Sequence, residues 1–156
     1  MNNTDALFGA IRGGQIDMVR GMITESPELV NTADARKFTP LVMATYMAQR
    51  EVTELLIAHG ANLEARDGKG NTALMGVAFK GDLELVDLLI EASADLNKQN
   101  YEGATALTYA IDYGHFEIAK LLLAKGADTN TQDAKGKSPL QHAELQSDAR
   151  FVALFE

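Results

Sequence analysis

Three histidines, His59, His115 and His142, are the first residues of this 156-residue chain to test for chemistry. A helical zinc site pairs ligands one turn apart, and no histidine here has another at i, i+4. No carboxylate pattern completes a ligand set either, so all three read as structural. The chain has no cysteine, which excludes disulfides, thiolate metal sites and thiol nucleophiles together. The "GKS" at 136–138 resembles the end of a phosphate-binding loop, but the full motif needs glycine five residues before Gly136. That position is Thr131, so the motif fails. Glu84, Asp87 and Glu91 lie on one helical face at i, i+3, i+7. General acid–base work needs carboxyls in a partly dry cleft with separated pKa values. These three oppose a leucine stripe and read as a solvated face, with an acidic contact for a basic partner as the alternative. No Gly-rich dinucleotide loop and no G-x-S-x-G are present. The chain is therefore not expected to be an enzyme, and no cofactor or metal is implied.

Bulk properties narrow the partners. The net charge is −8, and no Lys/Arg cluster forms a patch able to neutralise phosphates, so nucleic acid is not an expected ligand. An acidic surface speeds encounter with a basic protein instead. No window approaches 18 uncharged apolar residues, so no membrane span is expected. The first residues, "MNNTDALFGAIRGG", lack the basic start and apolar run of a signal peptide. A cytoplasmic monomer is the expectation.

The elements that must position any site announce themselves by repetition. "TPL" at 39–41, "TAL" at 72–74, "TAL" at 105–107 and "SPL" at 138–140 each begin 33 residues after the last. Leu41, Leu74, Leu107 and Leu140 align. So do Ala44, Val77, Ala110 and Ala143, and then Ala48, Gly81, Gly114 and Ser147. Projected at 100° per residue, Leu41, Ala44, Thr45 and Ala48 fall on one side of a helix, with Met43, Tyr46 and Met47 on the other. The first side is small and lets a second helix approach closely. The Thr or Ser opening each triplet suits a helix N-cap, and Pro40 and Pro139 suit the first helical position. A second helix follows, its stripe formed by Val52, Leu55 and Leu56, by Leu85, Leu88 and Leu89, and by Ile118, Leu121 and Leu122. Gly60 and Gly126 end two of these helices, where a positive φ is wanted. Ser93 takes that place in the third, at some local cost in stability. "RDGKGNT", "QNYEGAT" and "QDAKGKS" then form an extended turn with Gly70, Gly103 and Gly136 in one column. One such unit cannot bury both helix faces, so neighbours must stack.

The period and the pattern D-x-x-G-x-T-[PA]-L…A…G…E-[IL]-[VA]…L-L-[LI]…G-A-[DN] resemble ankyrin repeats, which share this length and a T-P-L-H-x-A signature. The likeness covers nearly the whole chain and is strongest in "FKGDLELVDLLIEASADLN" and "DYGHFEIAKLLLAKGADTN". It implies an all-α ankyrin-repeat α-solenoid: helix-turn-helix repeats of 33 residues joined by extended β-turns. A single domain over 1–156 is expected, with five units: an N-cap repeat at 4–34, then 35–67, 68–100 and 101–133, and a C-cap repeat at 134–156. Terminal units are expected to be atypical because one side faces water. The family's His after T-P-L is replaced by Val42, Met75, Thr108 and Gln141, so the hydrogen bonds it makes are not expected here. Lys37 stands where the turn glycine belongs.

Packing fixes some repeat columns and leaves others free. The free ones hold Arg36, Phe38, Tyr46 and Met47 in the second unit, Lys69, Asn71, Phe79 and Lys80 in the third, and Tyr101, Glu102, Asp112 and Tyr113 in the fourth. Aromatic and Arg side chains dominate binding hot spots because they bury much area with few rotors. In ankyrin-like proteins these columns line the concave groove and turn tips, which implies a protein-binding module. Arg36, Phe38, Tyr46, Met47, Phe79, Lys80, Tyr101, Glu102, Asp112 and Tyr113 are the candidate partner-binding residues. The alternative for the rings is packing against neighbouring turns. Met43, Gly76, Tyr109 and His142 form one further column, where Tyr109 is expected to fill the notch left by Gly76. Rival functions are a dedicated inhibitor or immunity-type protein neutralising one basic enzyme or toxin, and a self-assembling structural protein.

Overall fold

The computed structural model describes residues 2–156, among which there are ten α-helices, one short 3-10 helix and no strand. The contacts divide the chain into two compact units, residues up to 73 and residues 74–156.

In the first unit, α1 (Asn3–Arg12) packs on α2 (Ile16–Glu25) and on α3 (Pro40–Tyr46), and α3 packs on α4 (Arg50–Ala58). A 3-10 turn at Pro27–Asn31 buries Leu29 and Val30 and packs on α2 and α3. Leu7, Ile11, Val19, Ile23, Leu41, Ala44, Val52 and Leu56 form this core. In the second unit, α7 (Ala106–Asp112) packs on α8 (Phe116–Ala124) and on α9 (Pro139–Glu144). Helix α6 (Leu83–Glu91) lies against α8, and α10 (Arg150–Ala153) closes against α8 and α9. Leu74 and Val77 of α5 (Ala73–Lys80), with Leu85, Leu89, Leu107, Ile111, Ile118, Leu122 and Phe151, are buried here.

Local chemistry explains where helices begin. The Thr39 hydroxyl accepts the N–H of Val42, Thr105 that of Thr108, and Ser138 that of Gln141. Thr108 and Gln141 return the favour: the Thr105 N–H donates to Thr108 Oγ1 (2.8 Å) and the Ser138 N–H to Gln141 Oε1 (2.9 Å). Two of the residues standing where the family has His thus complete reciprocal caps, each satisfying an N–H the helix itself cannot. Pro40 and Pro139 occupy the first turn, where a missing N–H costs nothing.

Two readings of the helical projection need correction. Ala48 is not on the face of α3: the helix stops at Tyr46, and Ala48 lies in the following turn at φ 55°, as Gly81 and Gly114 do at 82° and 76°. At Ala48, Gly81 and Gly114 small residues suit a backbone that turns left-handed, and at Gly81 the His115 ring also leaves no room for a side chain. Leu88 and Leu121 are only half-buried, while Leu89 and Leu122 are sealed, so the inner edge of the stripe sits one residue later than its centre. Leu140, in the same column as buried Leu41, Leu74 and Leu107, is 37% exposed.

Candidate functional site

The turns that carry the site are built on one acidic or amide column. Asp34 Oδ1 accepts the N–H groups of Arg36 (2.8 Å) and Phe38 (2.9 Å). Asp67 does the same for Lys69 and Asn71, Asn100 for Glu102 and Ala104, and Asp133 for Lys135 and Lys137. A side-chain oxygen mimicking a backbone acceptor fixes the turn without a strand partner. In the second unit successive turns also touch: the Ala134 N–H donates to the Glu102 carbonyl at 2.9 Å, and a Cβ on Gly103 would come within 2.8 Å of Asp133 Cα. Gly103, at φ 78°, is therefore required both for its dihedral and for the approach.

The candidate residues separate into two groups. In the first unit Phe38 is half-buried, and its ring stands 6.2 Å from that of Tyr46. The Arg36 guanidinium lies 4.8 Å over the Phe38 ring and 3.5 Å from Asp34. Met47 and Tyr46, at the end of α3, are exposed. In the second unit Phe79 closes α5 and meets Tyr113 edge to face, with ring centroids 4.5 Å apart. Lys80, Glu102 and Asp112 are exposed, and Tyr101 is the most open ring of the group at 67%.

Two participants were not among the sequence candidates. Tyr109 joins the ring pair, 5.8 Å from Phe79 and 6.1 Å from Tyr113, and its hydroxyl accepts from Asn100 Nδ2 (2.9 Å). It does not fill the notch at Gly76, where a Cβ would meet no atom within 4 Å. Its ring stands instead beside Tyr113, four residues on at the end of α7, and Phe79, across on α5. His142 is the second. Its Nδ1 lies 2.8 Å from Asp112 Oδ1 and its Nε2 2.8 Å from Asp133 Oδ2. The imidazole ring thus bridges the two carboxylates. Burial works to raise the Asp133 carboxyl above its ordinary range. The Lys137 N–H, the His142 ring and the Lys135 N–H outweigh it and hold the group below that range. Asp112 thus carries a structural bond to α9 beside its open face. The sequence signal was faint: His142 shares the column of Tyr109, three places before that of Asp112, and only three dimensions bring 112, 133 and 142 together.

The other histidines are structural. His59 Nδ1 bonds the Leu55 carbonyl at 2.8 Å. His115 lies over Gly81, so close that a Cβ there would fall 2.5 Å from the ring, and its Nε2 bonds the Phe79 carbonyl at 3.0 Å. Among the described residues no three His, Cys, Asp or Glu gather to hold a metal ion. An open depression of about 250 Å³ borders Gly81, His115, Phe116 and Glu117, with the Arg150 guanidinium 4.3 Å over the Phe116 ring. No described helix is long and apolar enough to cross a membrane.

Paired short helices and left-handed turns on a 33-residue period define a helical repeat protein. Residues 36–68 match the family model for the ankyrin repeat, and residues 63–133 match one for ankyrin repeats in three copies. The chain belongs to the ankyrin repeat family, and its fold is the all-α ankyrin solenoid class. Members of the family are generally protein–protein interaction modules and typically not enzymes.

Proposed function

We propose that this chain is a protein-binding module that grips one partner protein through its concave groove and β-turn tips. The residues assigned to the contact are Arg36, Phe38, Tyr46, Met47, Phe79, Lys80, Tyr101, Glu102, Asp112 and Tyr113. The observation that carries the reading is where large apolar side chains are left open. Tyr46 (54%), Met47 (40%), Phe79 (44%), Tyr101 (67%) and Tyr113 (54%) are exposed, and all five belong to columns that repeat packing does not constrain. Rings that merely packed against neighbouring turns would be covered. Rigid presentation on capped helices and side-chain-tied turns limits the ordering entropy lost on binding. Five stacked units, a cap at 4–34, repeats at 35–67, 68–100 and 101–133, and a cap at 134–156, would carry the surface, in a cytoplasmic monomer.

The net charge of −8 favours one second reading, a dedicated inhibitor that neutralises a single basic enzyme or toxin. Affinity capture from native lysate tests both. The wild-type chain should retain a protein that a variant with Tyr46, Phe79, Tyr101 and Tyr113 replaced by Ala does not. One tight basic partner supports the inhibitor; several weaker partners support the general module. Equal retention by the variant, once its cooperative unfolding has been verified, would overturn the site assignment.

A further inference from the structure

We propose that the Phe79–Tyr113 ring pair, with Asp112 beside it, is a receptor for an arginine side chain on a basic segment of the partner; this rests on the protein-binding reading and specifies its chemistry.

Three observations converge. The first is the state of the rings. Phe79 and Tyr113 stand edge to face at 4.5 Å and are 44% and 54% exposed, with Tyr109 completing the patch behind them. An edge-to-face pair occupies one ring face, leaving others to attract a cation through the ring quadrupole. The second is how the chain treats rings elsewhere. Phe38 carries Arg36 at 4.8 Å and Phe116 carries Arg150 at 4.3 Å. Among the described residues no such cation lies over Phe79 or Tyr113. The third is charge. Asp112 precedes Tyr113 on α7, its side chain is 38% exposed, and its Oδ1 is held by His142. Asp133 lies on the other side of the same imidazole, so two carboxylates flank a ring that carries one positive charge at most. Glu102 adds a further carboxylate on the turn that Asn100 ties to the Tyr109 hydroxyl.

Arginine fits this combination better than lysine. Its planar guanidinium stacks on an aromatic face and is weakly hydrated, and the same group can turn its N–H fork to a carboxylate.

The probe is the peptide Ac-Arg-Gly-Arg-Gly-Arg-amide, titrated into isotopically labelled protein at physiological salt and followed by amide chemical shifts. Shifts should cluster at Phe79, Tyr109, Asp112 and Tyr113. The citrulline counterpart, neutral but nearly the same shape, should not bind. The lysine counterpart should bind more weakly. Combined Phe79→Leu and Tyr113→Leu should weaken the arginine peptide roughly 5- to 10-fold, while Glu91→Gln on α6 should leave it unchanged. Absence of shifts, equal binding of the citrulline peptide, or shifts spread along the acidic second helices would each overturn the receptor. If capture of a partner still depends on the exposed rings while the peptide fails, the protein-binding reading stands and only the arginine assignment falls.

Discussion

Replacing Ser93 by glycine should stabilise the protein. Ser93 follows α6 at φ 72°, where the equivalent places after α4 and α8 are taken by Gly60 and Gly126 at 86° and 94°. A residue with a Cβ costs roughly 1–2 kcal/mol in this left-handed region. Glycine gives back about 0.4–1 kcal/mol through the freedom it adds to the unfolded chain. The strain term is the larger, and Ser93 is exposed, so no packing is lost. The net gain is about 0.5–1 kcal/mol for Ser93→Gly. Lys37 at 64° and Ala48 at 55° lie in two other turns under the same strain, so the triple glycine variant should gain about 1.5–3 kcal/mol if the sites are independent. Urea unfolding followed by circular dichroism reads this directly. With a slope of about 2 kcal/mol per M, each substitution should raise the midpoint by about 0.3–0.5 M. Ser93→Ala keeps the strained dihedral and serves as the control, with little movement expected. A Ser93→Gly midpoint equal to or below that of Ser93→Ala would show that the left-handed turn is not strained and that the argument is wrong.

Other expectations follow from particular contacts. Leu89→Ala opens a cavity at a fully buried position and should cost about 2–5 kcal/mol, whereas half-buried Leu88→Ala should cost clearly less; urea midpoints with an unchanged slope decide it. The Asp133 carboxyl is held below its ordinary value of 3.8, so its contribution is complete above that value and is lost as pH falls through the lower folded value. Asp133→Asn should therefore flatten the acid limb of a stability-against-pH curve, and an unchanged limb would contradict it. His142→Leu removes both bridges from α9 and should speed amide hydrogen exchange in 139–153 before exchange in α7; uniform acceleration would refute a local role. Tyr46, Phe79, Tyr101 and Tyr113 changed together to Ala should preserve cooperative unfolding, because each ring is exposed and the Phe79–Tyr113 contact is worth only about 0.5–1.5 kcal/mol beyond area.

The repeat made much of this protein legible before any coordinates. Leu41, Leu74 and Leu107, the caps at Thr39, Thr105 and Ser138, and the left-handed places at Gly60, Gly126 and Ser93 all follow from a word rewritten every 33 residues. Repetition is informative because each copy samples the same local constraint, so a residue type that recurs reports a backbone or packing requirement. The same logic misled at Ala48, where a small-residue column was read as a packing face. Small size answers a left-handed φ as well as a close helix, and a one-dimensional pattern does not separate the two.

The sequence by itself determined the helices, their caps, the turns and the list of columns that packing leaves free, since these depend on dihedral preferences and on burial within one repeating unit. Only the tertiary structure decided what those free side chains do to each other. It put Tyr109 against Phe79 and Tyr113, and it spanned Asp112 and Asp133 with His142. It also left Gly76 open. The physical reason is that, Tyr109–Tyr113 apart, these contacts join residues from different repeats. Their strength depends on a few ångströms of side-chain reach across a gap that no local spacing encodes.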